Sequence, residues 1–295
     1  HGGDEGGDEP VEVEAITEGD GTQANPYLIG TAGQMLYVDS VLVHGAKAYF
    51  RLTSDINMKN VAGWHPWNEA DPYDIEIDFD GAGKTISNFK CTGKPSCSLF
   101  GVLNGSVRNL SFTDCQVTSE GACGILAAQS GTSSPTALHN VHAVGCTVAS
   151  TLVGTVNTGG LVATIGKATG TNCSFSGTVS TKSKSGYSGF IGGLVGQVTS
   201  ASVFKRCWAD VEIKGTSNNY CGGGLIGGST QNVAVTVRDC YTAGSMTAVS
   251  YFGGVIGELA LGTTVTNCYS TMSLFGTYAL GGVVGRACNY CNPNS

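Results

Sequence analysis

Five short blocks of this chain repeat one pattern that local backbone preference disfavours. They read GGLVA at 159–163, GGLVG at 192–196, GGLIG at 223–227, GGVIG at 253–257 and GGVVG at 281–285. Glycine within a strand or helix costs roughly 0.5–1 kcal/mol relative to alanine. A repeated run of glycine beside two apolar residues therefore needs a compensating contact. Aligned on Gly160, Gly193, Gly224, Gly254 and Gly282, the blocks are 33, 31, 30 and 28 residues apart. A period near 30 means stacked units that each bury a face only against a neighbour. Weaker copies lie upstream, with Gly124 in CGILA and Ser98 in CSLFG filling the glycine slot.

A second mark runs between the blocks. Cys173, Cys207, Cys240 and Cys268 follow one another at 34, 33 and 28 residues, each preceded by a polar residue. Asn88, Asn109, Asn140, Asn172 and Asn267, with Asp239, mark the same point of each unit. Asn tolerates left-handed backbone and hydrogen-bonds along a stack, so these positions are expected to be corners. Residues 100–295 show no helical periodicity and carry turn residues at short intervals, which reads as strands. The expected fold is all-β: a parallel β-solenoid (β-helix) of about 30-residue repeats. Seven or so coils at strand spacing give a rod on the order of 35 Å long. The glycines then stack where the backbone passes close to another segment. Leu194, Leu225, Val255 and Val283 are expected to form one internal ladder.

Three segments follow from composition. Residues 1–22 are expected to be a disordered acidic tether, since residues 1–20 hold eight acids, no base and little that can enter a core. Residues 23–80 are expected to cap the solenoid. Within them 31–44 reads as a helix, with Thr31 and Gln34 as a capping box, Met35, Val38 and Leu42 on one face and Gly45 at its end. AYFRLTSDINM at 48–58 reads as a strand. Ile75, Ile77 and Phe79 alternate with Asp74, Glu76 and Asp78 as a second. Residues 81–295 form the repeat. They carry six acids and twelve bases without a Lys/Arg cluster, so no nucleic-acid partner is expected. No apolar run reaches the 18 residues of a membrane span. His1 is not an initiator residue, so an earlier segment is expected to have been removed. An acidic glycine-rich leader is what would separate an N-terminal lipid from a folded body.

The twelve cysteines lack paired zinc spacing. Those of the repeat, together with Cys115 and Cys146, are expected to be buried thiols, because adjacent coils sit near the lower limit of disulfide Cα separation. Cys91–Cys97 and Cys288–Cys291 are the disulfide candidates.

The glycine blocks resemble GLUG repeats, named for a Gly-Leu-apolar-Gly core. Gly193-Leu194-Val195-Gly196 and Gly224-Leu225-Ile226-Gly227 match it directly. Gly254-Val255-Ile256-Gly257 and Gly282-Val283-Val284-Gly285 carry Val for Leu, and Gly160-Leu161-Val162-Ala163 lacks the last glycine. The resemblance spans roughly residues 25–290. It implies an exported, adhesin-like or peptidase-associated bacterial surface protein, and it carries no catalytic residues with it.

Catalytic groups are sparse. Asp210 and Glu212 share a strand face but read as solvated. His139 and His142 read as loop residues, and no serine occupies a GxSxG elbow. Glu69, Asp71, Asp74, Glu76, Asp78 and Asp80 are the metal candidates, without EF-hand spacing; no metal or cofactor is expected. Trp208, Tyr241 and Tyr269 each follow a repeat cysteine. If the cysteines point inward, period two turns these three outward as a stripe for a ligand. Tyr220, Tyr251 and Tyr278 read as loop or packing residues. The expected function is non-catalytic adhesion at the cell surface, or in secreted form, to an extracellular glycan or protein. A carbohydrate-active β-helix enzyme and a structural spacer are the alternatives.

Overall fold

The computed structural model describes residues 9–69, 74–182, 189–215, 220–230, 232–247, 251–276 and 279–288. Its strands wind into a parallel β-solenoid of about seven turns. One coil shows the plan. Ser202–Lys205 runs to a corner at Arg206, and Trp208–Lys214 continues on its far side. Tyr220–Gly223 follows, then a second corner at Gly224, then Ile226–Ser229. Each strand pairs in parallel with its equivalent one coil on. Val203 lies opposite Thr236, Trp208 opposite Tyr241, Cys221 opposite Tyr251 and Ile226 opposite Ile256. The third of these walls is a seven-stranded sheet with one strand per coil, from Phe100–Leu103 to Val284–Cys288.

The glycine columns explain the spacing of the repeat. Gly193, Gly224 and Gly254 donate their N–H to Gly223, Gly253 and Gly281 on the next coil at 3.1–3.2 Å. A Cβ on Gly224 would overlap the carbonyl oxygen of Gly254; one on Gly193 would overlap that of Gly224. The same corner leans across the narrow coil, so a Cβ on Gly193 would also press on Ala209 and Val211. Beside it Leu194, Leu225 and Val255 stack at 2% exposure or less, and Val283 ends the ladder half-buried.

The N-terminal end is closed by aromatic packing. Phe50, Phe79, Trp64, Trp67, Phe89 and Phe100 are all buried. The Trp67 ring lies 5.1 Å from Phe100 and 5.7 Å from Phe79, and its Nε1 donates to the Met35 carbonyl at 3.0 Å. Ile75, Ile77 and Phe79 face this core as the alternation predicts. The strand Glu76–Ser87 runs through the expected segment boundary at residue 80.

Two expectations are corrected here. The 31–44 helix is one turn, Ala32–Met35, followed by a 3-10 turn, Val38–Val41. Thr31 caps it through a 3.1 Å bond from the Gln34 N–H, but Gln34 reaches back to the Gly30 N–H at 2.7 Å. The Met35 carbonyl, the acceptor a longer helix would offer to the Asp39 N–H, is taken by Trp67 Nε1 at 3.0 Å, and the Asp39 carboxylate accepts the Asn68 N–H at 3.0 Å. Part of the segment expected as a tether over 1–22 is also bonded to the cap. Val11 N–H donates to Asn60, Glu14 to Gly33, and Leu28 to Glu18, each at 3.0 Å, so the segment from Val11 lies along the cap with Ile16 against its core. Residues 1–8 lie outside the described residues.

A contrast within one column tests the steric role of the glycines. Gly282→Ala places its methyl where nothing lies within 4 Å, and it should change stability by less than about 0.5 kcal/mol. Gly224→Ala drives a methyl into backbone that cannot rotate away, and it should cost about 3 kcal/mol or more. Thermal unfolding of the two variants checks this; equal melting temperatures contradict it.

Candidate functional site

The corner opposite the glycines is built from a left-handed residue followed by a buried one. Asn88, Asn109, Asn140, Asn172, Arg206, Asp239 and Asn267 all have φ between 51° and 57°. The side chains bond along the stack: Asn140 Nδ2 donates to Asn109 Oδ1 at 3.0 Å, Asn172 Nδ2 to Asn140 Oδ1 at 3.1 Å, and Asn267 Nδ2 to Asp239 Oδ1 at 3.2 Å. Arg206 occupies the slot without an Asn-like side chain, a member that reading for Asn alone missed. The next residue turns inward. Cys173, Cys207 and Cys240 are at most 1% exposed, and each thiol donates to the carbonyl two residues earlier at 3.2–3.4 Å. Cys115 and Cys146 repeat this geometry behind Asp114 and Gly145, also at positive φ. The Thr113, Val144, Lys205 and Arg238 carbonyls also accept the backbone N–H of the preceding coil's corner residue (Asn88, Asp114, Asn172 and Arg206), so the thiol is a second donor to a carbonyl with two lone pairs.

Ten cysteines, from Cys91 to Cys268, are free thiols. Cys91 and Cys97, expected as a disulfide, are instead buried free thiols, their sulfurs turned to the carbonyls of Trp64 and Lys94. Of the expected Cys288–Cys291 pair, Cys291 lies outside the described residues. Burial pushes the Cys123 thiol well above its ordinary range. The hydrogen bond with Cys207, then burial, does the same for Cys240.

With the cysteines inward, the residue after each points outward. In register, one column runs His142, Ser174, Trp208, Tyr241, Tyr269. Tyr241 is 36% exposed and Tyr269 58%, while Trp208 is half-buried. The Trp208 and Tyr241 rings lie 6.0 Å apart and 7° from parallel; Tyr241 and Tyr269 lie 5.4 Å apart at 8°. These are offset-stacked separations, so the ring faces cover one another and each pair contributes about 0.5–1.5 kcal/mol beyond its buried area. The stripe therefore presents ring edges and phenol hydroxyls outward. Trp208 leans past Ser174 to within 5.1 Å of the His142 ring.

His142 is a strand residue rather than the loop residue expected, and so is His139. Its Nδ1 pairs with Ser174 Oγ at 2.6 Å and its Nε2 with Asn140 Oδ1 at 2.8 Å. A hydroxyl, an imidazole and an orienting amide in line form the constellation of an activated nucleophile. Here Ser174 is 4% exposed, beneath Trp208. The trio instead bridges the coil that lacks an aromatic ring. Burial lowers the His142 pKa from its usual 6.5.

The acid-rich stretch is dispersed by its pairings. Arg108 reaches Asp78 at 2.7 Å and Asp80 at 3.6 Å, Lys47 reaches Glu76 at 3.8 Å, and His44 reaches Asp74 at 3.5 Å. Asp71 lies outside the described residues. Among the described residues no group of three or more His, Cys, Asp or Glu is placed to hold a metal ion. Asp210 and Glu212 are exposed on their strand, and Glu212 pairs with Lys214 at 3.0 Å. Tyr251 is a strand residue stacked under Arg286, 4.6 Å from its ring centre; Tyr220 begins a strand, and Tyr278 is not described.

No protein-family model matches the chain. A protein of Evansella cellulosilytica described as a "Putative Gly-rich membrane protein" is 36% identical over 122 residues, 38% of this chain. A halomucin of Haloquadratum walsbyi is 31% identical over 124 residues, 39% of this chain. The matches span 14% and 1% of those two relatives' lengths. Among solved structures, a "putative immunoglobulin A1 protease" from Bacteroides ovatus superposes with a TM-score of 0.72 at 25% identity, covering 91% of this chain and 86% of that one. No helix among the described residues is long and apolar enough to cross a membrane.

Two measurements follow. The folded state favours neutral His142, so below pH 6.5 the unfolded chain takes up the proton first and stability falls until the pH passes the lower folded value. The stability advantage of the wild type over His142→Gln should therefore shrink between pH 7.5 and 5.5; a gap that stays constant or widens contradicts the assignment. A thiol reagent without reductant should modify Cys268, half-buried at the end of its column, before Cys173, Cys207 and Cys240. In denaturant Cys91 and Cys97 should titrate as well, and their silence would show a disulfide.

Proposed function

We propose that the solenoid is a non-catalytic adhesion module of GLUG type, displayed at a cell surface or secreted. Its ligand is an extended extracellular polymer, a glycan or a matrix protein. The observation that carries this reading is the outward column Trp208–Tyr241–Tyr269, continuous over three coils. A flat repeating wall suits many weak contacts along a polymer better than one deep pocket. Because the ring faces are engaged with each other, recognition runs through the two phenol hydroxyls and the ring edges. Hydroxyl-rich glycans fit that set of donors and acceptors. The names of the relatives, a glycine-rich membrane protein and a halomucin, support a place at or beyond the cell envelope. An N-terminal lipid ahead of the acidic leader would hold the rod there.

A hydrolytic reading has one observation in its favour, the Ser174–His142–Asn140 geometry, beside the description of the structural neighbour. The covered Ser174 hydroxyl weighs against it. Absence of labelling by a fluorophosphonate probe, with no turnover on polysaccharide or immunoglobulin substrates, agrees with the adhesion reading; Ser174-dependent labelling or cleavage contradicts it.

Binding to a glycan array should fall at least tenfold in the Trp208→Ala, Tyr241→Ala, Tyr269→Ala triple variant, with its β-sheet circular dichroism retained. The stacked rings also stabilise the rod, so the triple variant should melt lower. Undiminished binding by the folded variant removes the stripe from the site.

A further inference from the structure

The aromatic stripe has a companion column on the other side of the Asn corner. Three residues earlier in each coil, in register, run His139, Thr171, Lys205 and Arg238. Lys205 and Arg238 follow the buried Phe204 and Val237, so period two turns them outward. They are register partners on adjacent coils, about 4.8 Å apart along the rod. Between the two columns lies the corner, and in the coil of Trp208 its residue is Arg206, exposed and at φ 52°. Asn and Asp visit left-handed backbone because their short side chains bond locally, and arginine lacks that support. The ladder bonds join Asn140 to Asn109, Asn172 to Asn140 and Asn267 to Asp239, and they skip Arg206. Departures from a local rule mark functional positions. What this one adds is a positive charge.

The coil register thus brings Arg238 beside Lys205 and Arg206. Among the described residues neither Lys205 nor Arg206 is in an ion pair. Arg238 lies 3.5 Å from Asp239, an exposed pair that water and salt screen. Asp239 also accepts the Asn267 side-chain N–H at 3.2 Å. Asp210 lies two residues beyond Trp208, on the side away from the corner, and Glu212 is held by Lys214. The edge between the columns therefore keeps a positive excess, although the whole chain carries −7.

Resting on the adhesion reading and narrowing it, we propose that the polymer is an anionic glycan, bearing carboxylate or sulfate groups and laid along the corner edge parallel to the rod axis. Its sugar rings meet the ring edges of Trp208 and Tyr241, and its anionic groups meet Lys205, Arg206 and Arg238. The coil spacing of about 4.8 Å is close to the rise of one pyranose in an extended chain. One sugar per coil therefore keeps an anionic group beside a cation on each coil. The two guanidinium groups hold an oxyanion through paired N–H donors. Because the net charge of the chain repels a polyanion, retention has to come from this edge.

Binding of the full chain to immobilised polygalacturonate, dextran sulfate, dextran and oligo(dT), at about 50 and 500 mM salt, tests this. One of the two anionic glycans should bind at least tenfold tighter than dextran, and high salt should shrink that advantage. The variant Lys205→Gln, Arg206→Asn, Arg238→Gln should lose at least tenfold on that polymer and keep its affinity for dextran. Its Arg206→Asn change supplies the ladder residue, so circular dichroism should be retained. Lys90→Gln, exposed in the N-terminal coils, should bind as the wild type does. If the triple variant does not fold, Arg206→Asn alone decides, with a loss of at least threefold expected and no loss overturning the proposal. Salt-independent binding with dextran equal to the anionic glycans, lost in the Trp208→Ala, Tyr241→Ala, Tyr269→Ala variant, overturns the charge assignment and leaves the adhesion reading standing. An anionic preference that survives in the charge variant overturns the site. Equal affinity for oligo(dT) overturns the glycan assignment, and binding to no glycan of either kind overturns the glycan reading and this inference together.

Discussion

The fold rests on one close approach: backbone against backbone at the glycine corner. Where Gly193 meets Gly224 and Gly224 meets Gly254, the next coil passes so near that no Cβ fits. That contact sets the register of the coils. Once it is set, every other column is forced into line, because parallel strands keep their partners over the whole coil. Leu194, Leu225 and Val255 stack beside it, and the left-handed corner stacks opposite. A glycine run that would weaken an isolated strand thus becomes the condition for closing a narrow coil.

The aromatic stripe is a consequence of that register. Trp208, Tyr241 and Tyr269 share a column because each follows an inward cysteine, and the cysteine is inward because the residue before it turns the chain at positive φ. Their spacing is fixed by the coil repeat, so the rings stack on one another instead of spreading into an open platform. The same geometry strengthens the rod and restricts what the stripe can bind. On the proposed reading, function and stability draw on the same three side chains.

Much of this was legible in the sequence because the repeat writes its constraints many times. The glycine period gave the coil, and the Asn positions gave the corner. The cysteine-plus-one rule placed the stripe. What escaped detection lacks repetition or depends on tertiary contact. Arg206 stands in a corner slot that its residue type does not announce. The helix expected over 31–44 stops after one turn, where Asp39 bonds across to Asn68. Residues from Val11 onward look like acidic tether, yet Val11 and Glu14 donate backbone hydrogen bonds to the cap, which composition does not report. His142 reads as a loop residue in the sequence; only coil register shows that it shares a column with Trp208.

The central claim is that the glycine corners are hydrogen-bonded interior backbone rather than turns. Residue-resolved amide hydrogen exchange on the native protein measures this directly. The N–H groups of Gly193, Gly224 and Gly254 should exchange as slowly as those of the core strand Val195–Val198, needing sub-global opening. Exchange of these glycine amides within minutes, at the rate of exposed loops, would contradict the stacked-corner account.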